Sequence, residues 1–180
     1  LGSLTDFSNV LTASCWPIGD CFGVVDECGV CGGDGSSCVE ESCGVDEGGQ
    51  VAFDSNLDGV FDSPNDFQFN GSITAKVYDA EGLDLVEDGD FLVAYGINED
   101  TGAEEVRGVK DAVFIPFGEN GYAFQLMTFS NSVNDVLTLK YYNGASGLVV
   151  DIVEELAFVS DMTLGSLTDF SNVLTASCWP

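Results

Sequence analysis

The chain has no histidine and very few basic residues. Its 180 residues include three lysines and one arginine against 31 aspartates and glutamates, which gives a formal net charge of −27. Without histidine the chain cannot build a Ser-His-Asp triad, an imidazole general base or a Cys₂His₂ zinc site. An acidic surface of this kind repels phosphate groups, so we expect no nucleic-acid partner. Because no activated nucleophile or carboxylate pair stands out either, we expect a protein that is not an enzyme.

Long apolar runs are missing as well. The sequence has no run of about 18 apolar residues, so it predicts no membrane insertion within this segment. Hydrophobic residues nevertheless make up 45% of the chain, and aromatic residues make up 11%. Disordered acidic chains carry less apolar material than this, so the sequence predicts a folded domain.

One segment occurs twice. Residues 1–17 read LGSLTDFSNVLTASCWP, and residues 164–180 are identical to them at an offset of 163 residues. The identity predicts a tandem array, in which one 163-residue unit is followed by the start of the next copy. A period of this length is typical of a domain with its linker rather than of a solenoid turn. A duplication confined to the two ends is the alternative.

Short apolar runs alternate with turn-forming residues over most of the chain. Near the start of this region a period-two pattern predicts a half-buried strand, whose inward face carries Phe67, Phe69, Ile73, Ala75 and Val77. Further runs predict strands at 91–95, 105–109, 112–115, 122–129, 136–142 and 170–175. Residues 149–159 fit a helix or strands, and the β-rich context favours strands. Seven or eight strands about ten residues apart predict an all-β fold, an antiparallel β-sandwich of Ig-like or jelly-roll-like type.

The same region contains the runs SITAKVYDAEGLDLVEDGDFLVAYGINEDTGAEEVRGV, YAFQLMTF, DVLTLKYYNG and ELAFVSDMTLGSL. With these runs, roughly residues 66–175 resemble a β-sandwich domain that is repeated in secreted and surface proteins of bacteria. The resemblance implies an extracellular structural or adhesive role and no catalytic residues. It also implies that each sandwich runs across the repeat boundary. Residues 1–13 would then be the last strand of the preceding sandwich, and residues 166–175 the last strand of this one.

Cysteine is concentrated in one short segment. Six of the seven cysteines lie within 29 residues, at positions 15, 21, 28, 31, 38 and 43, and the seventh is Cys178. Such a cluster in a glycine- and aspartate-rich segment predicts a disulfide framework and an oxidising, extracellular location. The alternative is a zinc site at Cys28-x-x-Cys31, which the lack of a second such pair disfavours.

Residues 28–38, CGVCGGDGSSC, are similar to a segment of the cysteine-rich region of ADAMTS-type secreted metalloproteases. The resemblance implies the bonds Cys21–Cys31 and Cys28–Cys38. Cys15 and Cys43 are then left to pair with each other as Cys15–Cys43. Cys178 is the copy of Cys15 in the next unit, so we expect it to have no partner within this chain and to pair outside it.

The sharpest chemical signal is the acidic loop at residues 54–66, DSNLDGVFDSPND. It matches the pattern D-x-N-x-D-G-x-x-D and resembles the calcium loops of EF-hands, dockerins and thrombospondin type 3 repeats. Ca²⁺ takes six to eight oxygen ligands, and a glycine in the middle of the loop permits its sharp turn. The predicted ligands are Asp54, Asn56, Asp58, the carbonyl group of Val60, Asp62 and Asp66. Asp66 is preferred to Asn65 as the bidentate ligand because an amide cannot clamp an ion with two carboxylate oxygens. A metal-free acidic turn is the alternative.

Other polar and aromatic residues carry weaker signals. We expect Arg107 to pair with a carboxylate at the edge of the core. A second ion near Asp84, Glu87, Asp88 and Asp90, or a sugar-binding face at Tyr122, Tyr141 and Tyr142, is a further alternative to ordinary loop and core roles.

The predicted organisation follows from these signals. Residues 1–13 close the preceding sandwich, 14–50 form a disulfide-rich linker, 51–66 the calcium loop, 67–175 the sandwich, and 176–180 the start of the next linker. The sequence predicts a structural subunit of an extracellular bacterial fibre or stalk, stabilised by Ca²⁺ and disulfides, whose partners are neighbouring copies of the same repeat. The alternative is a carbohydrate-binding or adhesin module on the cell surface, presented in several copies so that glycans are bound with avidity.

Overall fold

The structure is a computed structural model that describes residues 43–44, 48–117, 121–168 and 173–179. Residues from Cys43 onward form one compact unit. The predictions made for residues 1–42 lie outside the described residues. They include the strand at 1–13 and the bonds Cys21–Cys31 and Cys28–Cys38.

The described residues form ten β-strands and two short 3₁₀ turns. The turns are Gln50–Ala52 and Pro64–Asp66. The strands are β1 Phe69–Tyr78, β2 Phe91–Ile97, β3 Glu104–Asp111, β4 Val113–Ile115, β5 Gly121–Ser130, β6 Val136–Tyr142, β7 Val149–Asp151, β8 Leu156–Ala157, β9 Thr163–Leu164 and β10 Val173–Thr175. The bounds of β6 are those that the sequence predicted, and residues 149–159 form strands rather than a helix.

Two sheets face each other. The first has the strand order β10-β1-β5-β4, with β9 also paired to β1, and the second has the order β3-β2-β6-β7, with β8 also paired to β6. The pairs are antiparallel except for β1 with β9 and β1 with β10, which are parallel. The predicted all-β, antiparallel β-sandwich is therefore confirmed, and the two parallel pairs of β1 are the departure from it.

The main core lies between the sheets and follows the predicted alternation. Ile73, Ala75 and Val77 of β1 are all buried, and they pack with residues of the opposite sheet such as Leu92 and Leu139. Lys76 breaks the pattern because it is buried as well. Its ammonium group pairs with Asp84, with Nζ and Oδ2 2.6 Å apart.

A second, smaller cluster covers the other face of β2. Phe91, Val93 and Tyr95 alternate with the core residues of that strand, and they pack with Phe53 from the segment that precedes the sandwich. The ring centroids of Phe53 and Phe91 are 5.7 Å apart. As a result β2 is buried on both faces, and the segment before β1 acts as a cover on its outer side.

Arg107 occupies a β-bulge. The register between β2 and β3 shifts so that Ala94 faces Gly108 and Tyr95 faces Val106, which leaves Arg107 unpaired between them. Its side chain is buried, and Nη2 lies 3.1 Å from Glu105 Oε1 and 3.7 Å from Asp135 Oδ2. The expectation that Arg107 pairs with carboxylates at the core edge is confirmed.

The disulfide prediction is corrected by the bond Cys43–Cys178, whose Cα atoms are 5.5 Å apart. Cys43 is therefore not available to form Cys15–Cys43, and Cys178 has its partner within the chain. The reason is that both ends of the unit lie beside β7. A Cβ at Gly44 would be 3.0 Å from the carbonyl oxygen of Val149, and the amide of Ser177 donates to the carbonyl of Asp151 over 2.8 Å.

The end of the chain belongs to the sandwich, so the assignment of residues 176–180 to the next linker is also corrected for the described residues 176–179. We call residues 173–179 the closing segment. Within it Leu174 and Ala176 are buried, and the Trp179 ring lies 5.8 Å from that of Tyr141. The apolar pattern could not mark this end because the segment is short and pairs with residues far away in sequence.

Within the described part of the chain, no helix has the length and apolar character needed to cross a membrane.

Candidate metal site

The acidic loop connects the two 3₁₀ turns and crosses the end of β3. Val60 forms an isolated antiparallel bridge with Lys110, which fixes the middle of the loop against that strand. Gly59 has a φ of +74°, a backbone conformation that favours glycine. A Cβ at this position would also lie 3.3 Å from Cγ of Asp111, so the loop passes close to a carboxylate that the local sequence pattern does not include.

Three of the predicted ligands meet in this loop. Asp54, Asp58 and Asp62 each offer a carboxylate oxygen, and these oxygens all lie within 4.8 Å of one another. Asp54 is only 1% exposed, whereas Asp58 and Asp62 are exposed. The site therefore has one buried carboxylate at its base and two at its solvent side.

Asp54 is held in place through one of its two oxygens. Oδ2 accepts hydrogen bonds from the Gly59 amide at 2.8 Å and from Gln50 Nε2 at 2.7 Å. Oδ1 is buried and has no hydrogen-bond partner. A buried carboxylate oxygen without a donor or a counter-charge is costly, and a cation bound to it would remove that cost. A buried carboxylate oxygen without a hydrogen-bond donor therefore fits the role of a metal ligand at the base of the loop.

Asp90 shows the contrasting arrangement. It is equally buried at 1% exposure, but both of its oxygens accept hydrogen bonds. Oδ1 accepts from the Gly144 amide, and Oδ2 accepts from the Glu87 amide and from the hydroxyl group of Tyr141. Hydrogen-bond donors of the protein thus satisfy both oxygens of Asp90 but only one oxygen of Asp54.

The two exposed carboxylates are oriented by their neighbours. Asp62 accepts hydrogen bonds from Ser55 Oγ at 2.8 Å and from Asn56 Nδ2 at 2.7 Å. Asp58 Oδ1 accepts from the Val60 amide at 2.8 Å, and Asn56 Oδ1 accepts from the Asp58 amide at 3.0 Å. The predicted ligand Asn56 therefore lies in the loop and contacts a member of the carboxylate group.

Asp66 is not a member of this group of three carboxylates, and its role as the bidentate ligand stays a prediction. Pro64 begins a 3₁₀ turn that ends at Asp66 and leads the chain into β1. The backbone carbonyl of Asp66 accepts a hydrogen bond from Asn131 Nδ2 at 3.1 Å. The pattern of spaced aspartates could not reveal this change of direction, because the match to the calcium pattern ends before residue 65.

Two of the other proposed ligand positions have ordinary structural roles. Asp84 pairs with Lys76, and Asp90 belongs to the buried network just described. Tyr141 is fully buried, and Tyr142 packs edge-on against Phe53 at 5.3 Å. Since Tyr141 faces the core, a sugar-binding face made by the three tyrosines is not formed.

An open cavity of about 470 Å³ adjoins the acidic loop. Its polar lining includes Ser55, Asp62, Asn98, Glu105 and Asn131. The rings of Phe53, Phe61 and Phe67 also contribute to its wall. No local sequence pattern reveals this cavity, because its residues come from segments that are far apart in the chain.

Comparisons with known proteins add no further assignment. No family model, no curated protein and no solved structure matches the chain.

Proposed function

We propose that the chain is a structural subunit of an extracellular fibre or stalk built from tandem copies of a 163-residue repeat. One observation carries the proposal. The segment that occurs twice in the sequence is, at its second occurrence, the part of the chain that closes the sandwich and carries Cys178. One period of the repeat then supplies one complete sandwich together with the linker before it.

A structural role agrees with how the described residues are used. The buried charged groups Lys76, Arg107 and Asp90 all have partners that hold strands or turns together. The bond between Cys43 and Cys178 joins the two ends of the sandwich, and a disulfide of this kind supports an oxidising, extracellular location. In an array each unit contacts mainly its neighbours, so the partners we propose are further copies of the repeat.

We include Ca²⁺ in the proposal. Asp54, Asp58 and Asp62 supply hard oxygen ligands, and the unpartnered Oδ1 of Asp54 supports a bound cation rather than a simple acidic turn. Ca²⁺ accepts irregular coordination by carboxylates and water, whereas Mg²⁺ requires a near-ideal octahedron and keeps its water. A bound ion would order the segment that covers the outer face of β2.

Electron microscopy of the native material tests the proposed function. Filaments labelled by an antibody against the sandwich should show beads at one constant axial spacing, and chelation of Ca²⁺ should make the spacing less regular. Isolated particles without an axial repeat would contradict the fibre assignment.

Glycan binding is a second candidate, and the cavity beside Asp62 favours it. Amide and carboxylate groups next to aromatic rings suit the hydroxyl groups and apolar faces of sugars. A glycan array separates the two candidates, because saturable binding that is lost in Asn98→Ala or Asn131→Ala would favour the adhesin, and a purely structural fibre would bind no glycan.

A further inference from the structure

The closing segment contacts both sheets at once. It pairs in parallel with β1, where Leu174 faces Val77, and the Ala176 amide donates to the Tyr78 carbonyl at 2.9 Å. On its other side the Val153 amide donates to the Thr175 carbonyl at 2.9 Å, and Ile152 forms a bridge with Ala176. It thus fills a groove between the edge of one sheet and the edge of the other.

Side chains add to this backbone pairing. Leu174 is 6% exposed and Ala176 is 2% exposed, and both belong to the main core. The carboxylate of Glu154 accepts two hydrogen bonds from Thr175, from its amide at 2.7 Å and from its hydroxyl group at 2.8 Å. The groove therefore recognises an apolar residue, a hydroxyl residue and a small residue in succession, followed by the cysteine that bonds to Cys43.

Residues 10–16 have the same sequence as the closing segment, V-L-T-A-S-C-W. Each contact described for Leu174, Ala176 and Cys178 is therefore chemically open to Leu11, Ala13 and Cys15. With both copies present in one chain, the structure uses the downstream copy, since Cys43 is bonded to Cys178. The upstream copy is then a complete closing segment whose own sandwich is already closed.

We infer that residues 1–17 bind the closing groove of a second copy of this sandwich and that Cys15 forms a disulfide with Cys43 of that copy. The inference rests on the proposed repeat organisation and names the contact that joins successive units. Oxidation of the two thiols to the disulfide releases two electrons and two protons. A disulfide oxidant in the extracellular space accepts them by thiol–disulfide exchange. The parallel strand is added at the edge of β1, as in other cases of strand addition.

Two full-length proteins test the inference. The acceptor is uniformly ¹⁵N-labelled and carries Leu11→Asp, Leu174→Asp, Cys15→Ser and Cys178→Ser, so neither of its own segments can dock or bond. The donor is the unlabelled wild-type chain, whose groove is filled by its own closing segment. The matched control donor carries only Leu11→Asp, so its upstream segment cannot dock while its own closing segment is unchanged. Each donor is refolded together with the acceptor in a glutathione redox buffer, and the disulfides are mapped by mass spectrometry.

We expect a bond between Cys15 of the unlabelled donor and Cys43 of the labelled acceptor. The yield of this bond should be about tenfold lower with the control donor, because a carboxylate replaces a leucine that becomes buried on docking. An equal yield with both donors would overturn the inference, since the bond would then form without docking.

The acceptor alone lacks both closing segments and can fail to fold, so a second measurement accompanies the first. A synthetic peptide of residues 1–17 or the unlabelled wild-type donor is added to the ¹⁵N-labelled acceptor, and folding of the acceptor alone is followed through the dispersion of its amide resonances in NMR spectra. Folding of the acceptor with the peptide and also with the wild-type donor supports the inference. Folding with the peptide but not with the donor, or no folding with either, overturns it. Filaments that form while docking fails would leave the proposed fibre role intact, and docking without filaments would contradict only that role.

Discussion

Gly108 and Met127 bring the backbones of β3 and β5 into direct contact across the edge of the sandwich. A Cβ added at Gly108 would lie 2.2 Å from the carbonyl oxygen of Met127, a distance that no side chain can occupy without moving the strands. The glycine follows the bulge at Arg107, so the bulge and the close approach are consecutive positions of one strand. Together they set how closely the two sheets approach each other at this edge.

Replacing this glycine should therefore be costly. We expect Gly108→Ala to lower the free energy of unfolding by about 3 kcal/mol, because the added methyl group must displace backbone rather than a flexible side chain. Gly82→Ala is the control, since Gly82 has a φ of +86° and no atom within 4 Å of an added Cβ. That variant should lose about 1 kcal/mol from backbone strain alone. Urea denaturation compares the two, and equal losses would contradict the steric argument.

Calcium should stabilise the sandwich through Asp54. At a hundredfold excess over its dissociation constant the ion should add about 2.7 kcal/mol, which raises Tm by roughly 5–10 °C. Asp54→Asn should abolish this increase in Tm, because it removes the negative charge of the carboxylate whose buried Oδ1 has no hydrogen-bond partner. In chelator the same variant should be at least as stable as the wild type, since a buried unpaired charge has been removed.

The matched control for this measurement is Asp88→Asn, which removes one exposed charge from the turn between β1 and β2. This variant should keep the full increase in Tm that calcium gives the wild type. Differential scanning calorimetry with calcium and with EDTA gives all six Tm values. Melting curves of the wild type that coincide in the two conditions would show that the loop is a metal-free turn.

The disulfide should contribute strongly to stability. It closes a loop with a sequence separation of 135 residues, for which the chain-entropy model gives about 5 kcal/mol at 25 °C. Cys43→Ser should lower the free energy of unfolding by an amount of this order. The double variant Cys43→Ser/Cys178→Ser should lose no more than that, because both substitutions remove the same bond. Guanidinium denaturation measures both, and strictly additive losses would mean that the two cysteines act separately.

Alkaline pH should destabilise the fold through Tyr141. Burial, together with the hydrogen bond to Asp90 and its negative charge, raises the pKa of the Tyr141 hydroxyl far above the ordinary value of 10.0. The folded chain keeps this proton above pH 10 while the unfolded chain releases it, so the contribution to stability is complete below pH 10 and is lost as the pH rises further.

Tyr141→Phe isolates this effect. The variant should lose about 1–3 kcal/mol near neutral pH, because Asp90 and the carbonyl of Leu85 lose a buried donor. Its stability should then fall less steeply than that of the wild type between pH 9 and pH 11, by denaturant titration at each pH. Parallel pH profiles would contradict a role for this hydroxyl group in the alkaline transition.

Local patterns in the sequence predicted the strands well. The alternation around Ile73 and Val77 identified the inward face of β1, and the apolar run at 136–142 marked β6 at its observed bounds. These features depend on neighbours two residues apart, which the sequence displays directly. The spaced aspartates likewise identified Asp54, Asp58 and Asp62, because a single loop brings them together.

Features that depend on distant contacts could not be read in the same way. The sequence alone does not show that Lys76 is buried against Asp84, or that Cys43 meets Cys178 rather than the nearer Cys15. The prediction paired Cys43 with the cysteine of the repeated segment, but it chose the upstream copy, Cys15, instead of the downstream copy, Cys178. The closing contacts depend on the groove between β1 and residues 151–153, which no local pattern describes. Because the two copies are identical, the sequence does not show which copy fills this groove.

The bond between Cys43 and Cys178 also determines how the molecule responds to pulling. Tension that enters the chain before Cys43 and leaves it after Cys178 passes through two sulfur atoms and never loads the hydrogen bonds of the sheets. The sandwich then adds only the 5.5 Å between the two Cα atoms to the length of a stretched chain. Reduction of this single bond would release the chain between them, which has a sequence separation of 135 and extends to roughly 450 Å. The sandwich between the two cysteines therefore keeps its length under tension while the bond is intact, and it can unfold and extend once the bond is reduced.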